Sequence, residues 1–289
     1  MLVTGAGGLI GGRLAERLAA THEVTAGARD APPPAALPRV RFDLEDGSSF
    51  ESALDASRPE AVVHAAALAE PDVCEREPAR AQVCNADAPA RLARLARARG
   101  LRLIALSTDL VFAGDRAPYA EDDAPAPLQA YGRTKLAGER AALAEDPGAV
   151  VLRLPLMVGR GHGRRATATE SVAWALRDGR PVRLFTDQVR TPLDAASVAD
   201  AIERVLAASH AGTFHLGGDE RLSRYDLGRR VADALGLPAA LITPVRHGER
   251  PQAPRPADAS LASLRAREVL GWRPRRLDEA IRDGRRTAV

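Results

Sequence analysis

Lysine and asparagine are all but missing from this sequence: of its 41 basic residues only Lys135 is a lysine, and Asn85 is the only asparagine. Cysteine is scarce as well, and Cys74 and Cys84 alone exclude a disulfide framework or a zinc-type cluster. The 6 histidines are scattered without ligand spacing, so no metal site is expected. No apolar run approaches the roughly 18 residues of a membrane helix, and no membrane partner is expected. A glycine-rich turn begins at Gly5, where a secretory leader would need a charged and then an apolar stretch; the cytoplasm is the expected compartment. Acids number 38, the net charge is +3, and the arginines are spread along the chain, so nucleic acid is not an expected partner. What is present is ordinary for a globular protein: 289 residues, 45% apolar and 27% charged, enough for about two domains. Against that background the lone lysine points to a place where a guanidinium cannot serve, because only an ammonium is a compact charge with a readily tuned pKa.

The first two-thirds alternates short apolar runs with helical patterns, as a parallel sheet covered by helices does. Strands are expected at Met1–Thr4, Glu23–Ala28, Val40–Phe42, Ala61–Ala65, Leu101–Leu106 and Val150–Leu154. Helices are expected at Arg13–Ala20, across Ala81–Arg99 and from about Ala130, with a proline-rich loop at Asp30–Pro38. After Pro155 the texture changes. A Gly- and Arg-rich loop, Gly159–Arg165, leads to a helical pattern at Thr169–Asp178 and short strands at Val182–Phe185 and Gly212–Leu216. Amphipathic helices follow at Leu222–Leu235 and Leu261–Leu270, separated by a proline-rich loop, Pro244–Pro256. The expected fold is α/β: a Rossmann-type doubly wound parallel sheet with a smaller C-terminal α/β substrate lobe. Residues 1–155 would bind the cofactor, with returns near 186–211, and residues 156–289 would form the interleaved smaller lobe. A cleft between lobes suits a small-molecule site.

Thr4-Gly5-Ala6-Gly7-Gly8-Leu9-Ile10-Gly11 lies between the first strand and the first helix. Glycines let such a turn approach a pyrophosphate, whose charge the helix start favours. Gly5, Gly8, Leu9, Ile10 and Gly11 are therefore candidate cofactor contacts. An acid at the tip of the second strand would select NAD through the ribose hydroxyl, and an arginine would select NADP through its 2′-phosphate. Arg29 favours NADP(H); its neighbour Asp30 keeps NAD(H) open.

Ser107-Thr108-Asp109-Leu110-Val111-Phe112-Ala113-Gly114 ends the fifth strand, and Tyr131-Gly132-Arg133-Thr134-Lys135-Leu136-Ala137-Gly138-Glu139 follows on a helix. With Val83–Ala88 around Asn85, Phe185-Thr186-Asp187-Gln188, Gly212-Thr213-Phe214-His215 and Arg255-Pro256, the chain resembles the dTDP-4-dehydrorhamnose reductase branch of the extended short-chain dehydrogenases/reductases over nearly its whole length. The residues make a physical case beside the resemblance. Tyr131 and Lys135 stand four apart, about 5–6 Å between Cβ atoms on one helix face. A phenol titrating near 10 would need a neighbouring cation to bring it toward neutrality, a shift of about three units or roughly 4 kcal/mol. Lys135 is the expected cation, Tyr131 the expected proton donor to a carbonyl, and Thr108 the expected hydrogen-bonding partner of the same oxygen.

The resemblance implies further roles. Asn85 would hold a relay water or the helix bend behind Lys135. Asp43 and Leu44 would touch the adenine, Ala65, Ala66 and Ala67 the nicotinamide ribose, and Ser107, Tyr131 and Lys135 the cofactor. Arg190 and Arg255 would bind a substrate diphosphate with Thr108 on the sugar, ahead of Arg160, Arg164, Arg165 and Arg250 as further cations. His64 reads as a packed strand-end histidine, and Val111, Phe112 and Trp174 as core. The implied activity is NADP-dependent reduction of the 4-keto group of a nucleotide-linked deoxy sugar, as in dTDP-rhamnose biosynthesis. The expected partners are that nucleotide sugar and, at most, a second copy of the chain in a homodimer.

Two departures keep other readings open. Leu110 stands where the family commonly has Tyr, and Arg153-Leu154-Pro155-Leu156-Met157 replaces an Arg-Thr-Ser-Trp pattern. The second is similar to the regulatory β-subunit of methionine adenosyltransferase, which implies a cofactor-binding subunit as the alternative. A nucleotide-sugar epimerase or dehydratase ranks lower, because a dehydratase needs an Asp-Glu pair after the threonine and Asp109-Leu110 lacks the Glu.

Overall fold

The computed structural model describes residues 1–163, 166–246 and 254–284. The chain opens with β1 (Leu2–Thr4), α1 (Gly11–Leu18), β2 (Thr25–Ala28), β3 (Arg39–Arg41), α2 (Ser48–Ser57) and β4 (Ala61–His64). Two short helices, α3 (Pro71–Arg76) and α4 (Pro78–Gln82), run into a π-helical turn (Val83–Asp87) and α5 (Ala88–Ala98). Then come β5 (Arg102–Thr108), α6 (Ala130–Glu145), β6 (Val150–Leu154), β7 (Met157–Val158), α7 (Ala168–Arg177) and β8 (Val182–Phe185). The rest is β9 (Val189–Arg190), β10 (Leu193–Asp194), α8 (Ala195–Ala207), β11 (Gly212–His215), β12 (Leu222–Ser223), α9 (Arg224–Leu235), β13 (Ile242–Val245), α10 (Leu264–Val269) and α11 (Leu277–Asp283).

Seven strands form one sheet in the order β3-β2-β1-β4-β5-β6-β11, each pair parallel. Chain order reverses between β1 and β4, so their C-terminal ends flank the crevice where such sheets bind ligands. Alternation along the strands divides the core. Leu2, Val62 and Leu103 face Phe50 and Leu54 of α2 and Leu92 and Ala96 of α5. Val3, Val63, Ile104, Val150 and Leu152 face Leu14 and Leu18 of α1 and Val198, Ile202 and Val205 of α8. Each fully buried aliphatic side chain of this kind contributes about 1.5–3 kcal/mol, so both faces hold the strand ends in place. This is a Rossmann-type doubly wound α/β fold.

A second core gathers Val158, Val172, Leu176, Leu227, Val231, Ile242, Leu277 and Ile281. Three two-stranded ladders, β7–β10, β9–β12 and β8–β13, brace it among the described residues. Its helices begin at side-chain caps: Thr167 with Glu170 for α7 and Ser223 for α9, each satisfying amide donors that a helix start leaves free.

Several local expectations change. The long helix expected across Ala81–Arg99 is interrupted by the π-helical turn, because the carbonyl of Asn85 lies against Gly138 of α6 and the chain must bow to meet it. Helix α2 was not apparent in the pattern, since its buried face amounts to Ser49, Phe50, Ala53 and Leu54. Gly212–His215 is not part of the smaller lobe; it pairs with β6 as an edge strand of the main sheet. Trp174 is 41% exposed rather than core, while Val111 and Phe112 are fully buried.

Candidate active site

The glycine turn sits at the switch point. Gly5 has φ +69°, and a Cβ there would lie 2.6 Å from the amide nitrogen of Ala66, so the turn and the Ala65–Ala67 segment approach at a distance that only glycine permits. The Gly8 amide donates to the Gly5 carbonyl at 2.8 Å, Gly11 opens α1, and Ile10 caps the helix without a side-chain acceptor. A helix start that presents backbone rather than side chains fits the pyrophosphate of a dinucleotide. Leu9 accepts from the amide of His162 at 3.0 Å. The His162 ring lies against Gly12, with Nε2 3.2 Å from the Pro32 carbonyl, so a loop of the smaller core lies across the turn. The sequence marked that loop only as Gly- and Arg-rich.

Arg29 lies just beyond β2 and is exposed, donating to Asp30 at 2.7 Å and Glu45 at 3.2 Å. Two acids therefore already compete for it. Asp43 lies beyond β3 rather than ending it; its amide donates to Ser49 at 3.0 Å and its carboxylate accepts from the Glu45 amide at 3.1 Å, shaping the entry to α2. Leu44 packs against the core under β3.

The catalytic candidates converge where β5 ends. Thr108, its last residue, is buried; its hydroxyl donates to Asp109 at 3.2 Å and accepts from the Leu110 amide at 3.2 Å, and it neighbours half-buried Tyr131 on α6. Lys135, one turn on, is buried and donates from Nζ to the Leu106 carbonyl at 2.8 Å. Burial lowers the lysine to about 8, against the pull of Glu139. Tyr131 does not follow the expectation that Lys135 would lower it. Burial, with the Asp109 carboxylate next, pushes the phenol above its ordinary value, and the neighbouring Thr108 hydroxyl only partly offsets this. His64 is the packed strand-end histidine expected: buried, hydrogen-bonded to Thr4 at 2.8 Å, and lowered by burial and Lys135 to about 3.

Behind this set lie two braces. Asn85, in the π-helical turn, accepts from the Leu68 amide at 2.9 Å and donates to the Leu68 carbonyl at 3.0 Å and Thr134 at 3.3 Å. It thus ties the loop after β4 to the residue preceding Lys135. Ser107 donates to Glu139, which Arg153 grips at 2.7 Å in a buried pair extended to His215 at 3.2 Å.

Arg190 is buried, its Nε 3.2 Å from Asp109, while its terminal nitrogens donate to the carbonyls of Val189 at 2.6 Å, Pro256 at 3.1 Å and Ala257 at 3.5 Å. Most of its five N–H donors are therefore engaged within the protein. Arg255 donates to Gln129 at 2.8 Å and stands 3.8 Å from Asp72. Sequence reasoning missed Asp109 as a partner of Arg190 and Arg224 as a neighbour of it. The position of Asp109 beside Thr108 was a usable signal; nothing in the sequence set Arg224 apart. Arg164, Arg165 and Arg250 lie outside the described residues.

A parallel sheet of this order, with its glycine turn at the switch point and Tyr131 meeting Thr108 at a strand end, has the architecture of the extended short-chain dehydrogenase/reductase class. Within that class the chain belongs to the family described as RmlD substrate binding domain, whose model matches residues 1–286. Methionine adenosyltransferase 2 subunit beta of Pongo abelii is 35% identical over 279 residues, 94% of this chain and 82% of the relative. The Haloferax volcanii protein named probable low-salt glycan biosynthesis reductase Agl14 is 36% identical over 244 residues, 83% and 81% of the two chains. The crystal structure of a hypothetical dTDP-4-dehydrorhamnose reductase from Sulfolobus tokodaii superposes with TM-score 0.83 at 31% identity, covering 94% of each chain. Other solved structures of this fold hold NADP or NAD, one of the latter together with UDP. Among the described residues no helix is long and apolar enough to cross a membrane.

Proposed function

We propose that this protein is an NADP(H)-dependent reductase acting on the 4-keto group of a nucleotide-linked deoxy sugar. The observation that carries the reading is the convergence at the end of β5 of buried Thr108, neighbouring Tyr131, and Lys135 one helical turn on, buried with its Nζ on the Leu106 carbonyl. The nicotinamide cofactor, when bound, supplies hydride; the chain supplies position and a proton. Gly5, Gly8, Leu9, Ile10 and Gly11 would hold the pyrophosphate, Ala65–Ala67 and Ser107 the nicotinamide side, and Arg29, Asp43 and Leu44 the adenosine side. Thr108 orients the carbonyl oxygen and Tyr131 gives it a proton. A phenol pushed upward is fully protonated at neutral pH, which is the form a general acid needs in the reductive direction. Lys135 then compensates the phenolate left behind, and Asn85 steadies the start of α6 through Thr134. Arg255 lies on the cationic side toward the nucleotide diphosphate, and Arg190, already engaged by Asp109 and three backbone carbonyls, braces that side from within.

The test is NADPH oxidation with a dTDP-linked 4-keto-6-deoxy sugar beside the same sugar without its nucleotide. Turnover that strongly prefers the nucleotide-linked substrate is expected, and equal kcat/KM for the two would remove the sugar-nucleotide assignment. A second reading has its own support, the likeness to methionine adenosyltransferase 2 subunit beta over 94% of this chain. In that reading the chain binds NADP(H) without turnover and associates with a methionine adenosyltransferase. Tight cofactor binding, no reduction of any keto sugar tested, and recovery of that enzyme with the protein would favour it.

A further inference from the structure

Arg224 opens α9 immediately after β12. The β9–β12 ladder sets Leu222 opposite Arg190 and Ser223 opposite Val189, and the Arg224 amide donates to the Gln188 carbonyl at 3.0 Å. The chain is thus pinned so that Arg224, at the start of α9, is brought to Arg190 on β9. Arg190 brings Asp109 as its counter-charge, and Arg255, which also feels Arg190, has Asp72 at 3.8 Å. Arg224 has neither. Its half-buried guanidinium meets no acceptor or carboxylate among the described residues, and the charge acting on it is that of Arg190. Burial first, and that second cation, lower it from its ordinary value to about 10. Of the carboxylates around Arg190, Asp109 pairs with Arg190 itself and half-exposed Asp72 with Arg255, so neither serves Arg224. Packing a cation against another cation without a partner disfavours the ligand-free state, and an anion entering between them relieves it.

We infer that Arg224, together with Arg255, seats a phosphate of a nucleotide-linked ligand, while Arg190 is the strut that fixes Asp109 beside Thr108. Planar guanidinium groups suit this task because each can offer paired N–H bonds to phosphate oxygens. The inference rests on the reading of the substrate as a nucleotide sugar and assigns its anionic end to a residue outside the motifs around Thr108 and Tyr131.

The experiment titrates dTDP and UDP, with thymidine and uridine as uncharged controls, into the full-length protein saturated with NADP+. Arg224→Met is expected to weaken both diphosphates about 10- to 100-fold, the range of a charge-assisted contact, and to leave the nucleosides unchanged. Arg224→Lys should recover part of the loss. The Tm of Arg224→Met should stay level or rise, since the guanidinium holds nothing in the protein. Unchanged diphosphate affinity in Arg224→Met, no diphosphate binding by the wild type, or a fall of Tm in both Arg224→Met and Arg224→Gln would overturn the inference. The two readings fail separately. Loss of dTDP binding on Arg224→Met, in a protein that reduces no nucleotide-linked keto sugar, keeps the phosphate seat and rejects the reductase. Reduction that is indifferent to Arg224 does the reverse.

Discussion

The carboxylate of Asp109 and the guanidinium of Arg190 form a buried ion pair at 3.2 Å, joining the residue after Thr108 to the β9–β12 ladder. It couples the strand end that holds Thr108 to the segment that holds Arg190. Burial raises Asp109 to about 6 despite Arg190, so the carboxylate is costly to ionise even when paired.

Arg190→Met should therefore destabilise the fold by about 3–5 kcal/mol, the cost of leaving a buried charge unpaired, as read from urea unfolding at pH 7. Asp109→Asn in the same background should restore part of it. The pH dependence has a definite sign. A carboxyl whose folded value exceeds its ordinary 3.8 contributes stability below 3.8 that is lost as pH rises through about 6. That declining slope should be weaker in Asp109→Asn, and an unchanged slope would exclude Asp109 as its source.

Tyr131→Phe removes the proposed proton donor while keeping the ring. It should lower kcat by at least about a hundredfold, the low end for general acid catalysis, with NADPH affinity little altered. Thr108→Val should lower kcat less, because it removes an orienting bond and not the proton. A Tyr131→Phe protein working near the wild-type rate would show that the proton comes from elsewhere.

Lys135 loses its charge as pH rises through about 8. With Tyr131 held high, the phenolate formed during reduction depends on that ammonium. The rate should accordingly be level below about pH 8 and fall above it. Lys135→Arg should lose activity at every pH, since a planar guanidinium neither fits the buried niche under Leu106 nor titrates there. A rate that climbs steadily from pH 7 to 10 would contradict the assignment.

Arg29 is held by Asp30 and Glu45, so a 2′-phosphate must compete with two carboxylates. NADPH should bind more tightly than NADH, and Arg29→Ala should erase most of that gap. Glu45→Gln should widen it by freeing the guanidinium. Equal affinities in the wild type would return the site to NAD and Asp30.

Much of the machinery was legible before folding because it is local. The glycine turn, Thr108 at a strand end, and Tyr131 and Lys135 one turn apart are each set by a few consecutive residues whose geometry follows from glycine dihedrals, strand termination and helical pitch. The lone lysine and lone asparagine drew attention to Lys135 and Asn85, and both lie in the buried region around α6. The alternating strand and helix pattern likewise specified a doubly wound parallel sheet.

What the sequence did not contain is the outcome of contacts between distant segments. Protonation depends on burial and on every neighbouring charge, so the upward push on Tyr131 appeared only once Asp109 was folded against it. Arg190 resembled one more cation until the fold set it 81 residues along the chain from Asp109 and bonded it to Pro256 and Ala257. Asn85 was marked by its rarity, but its hold on Leu68 and Thr134 exists because the π-helical turn bows toward Gly138. Arg224 had no signature at all: among so many arginines, what distinguishes it is burial beside Arg190 without a counter-charge among the described residues, and that is a property of three-dimensional surroundings. Sequence by itself determined the sheet and the spacing of the candidate residues, because short-range geometry suffices for both; tertiary structure decided which charges are paired, because charge pairing is a matter of distance in space.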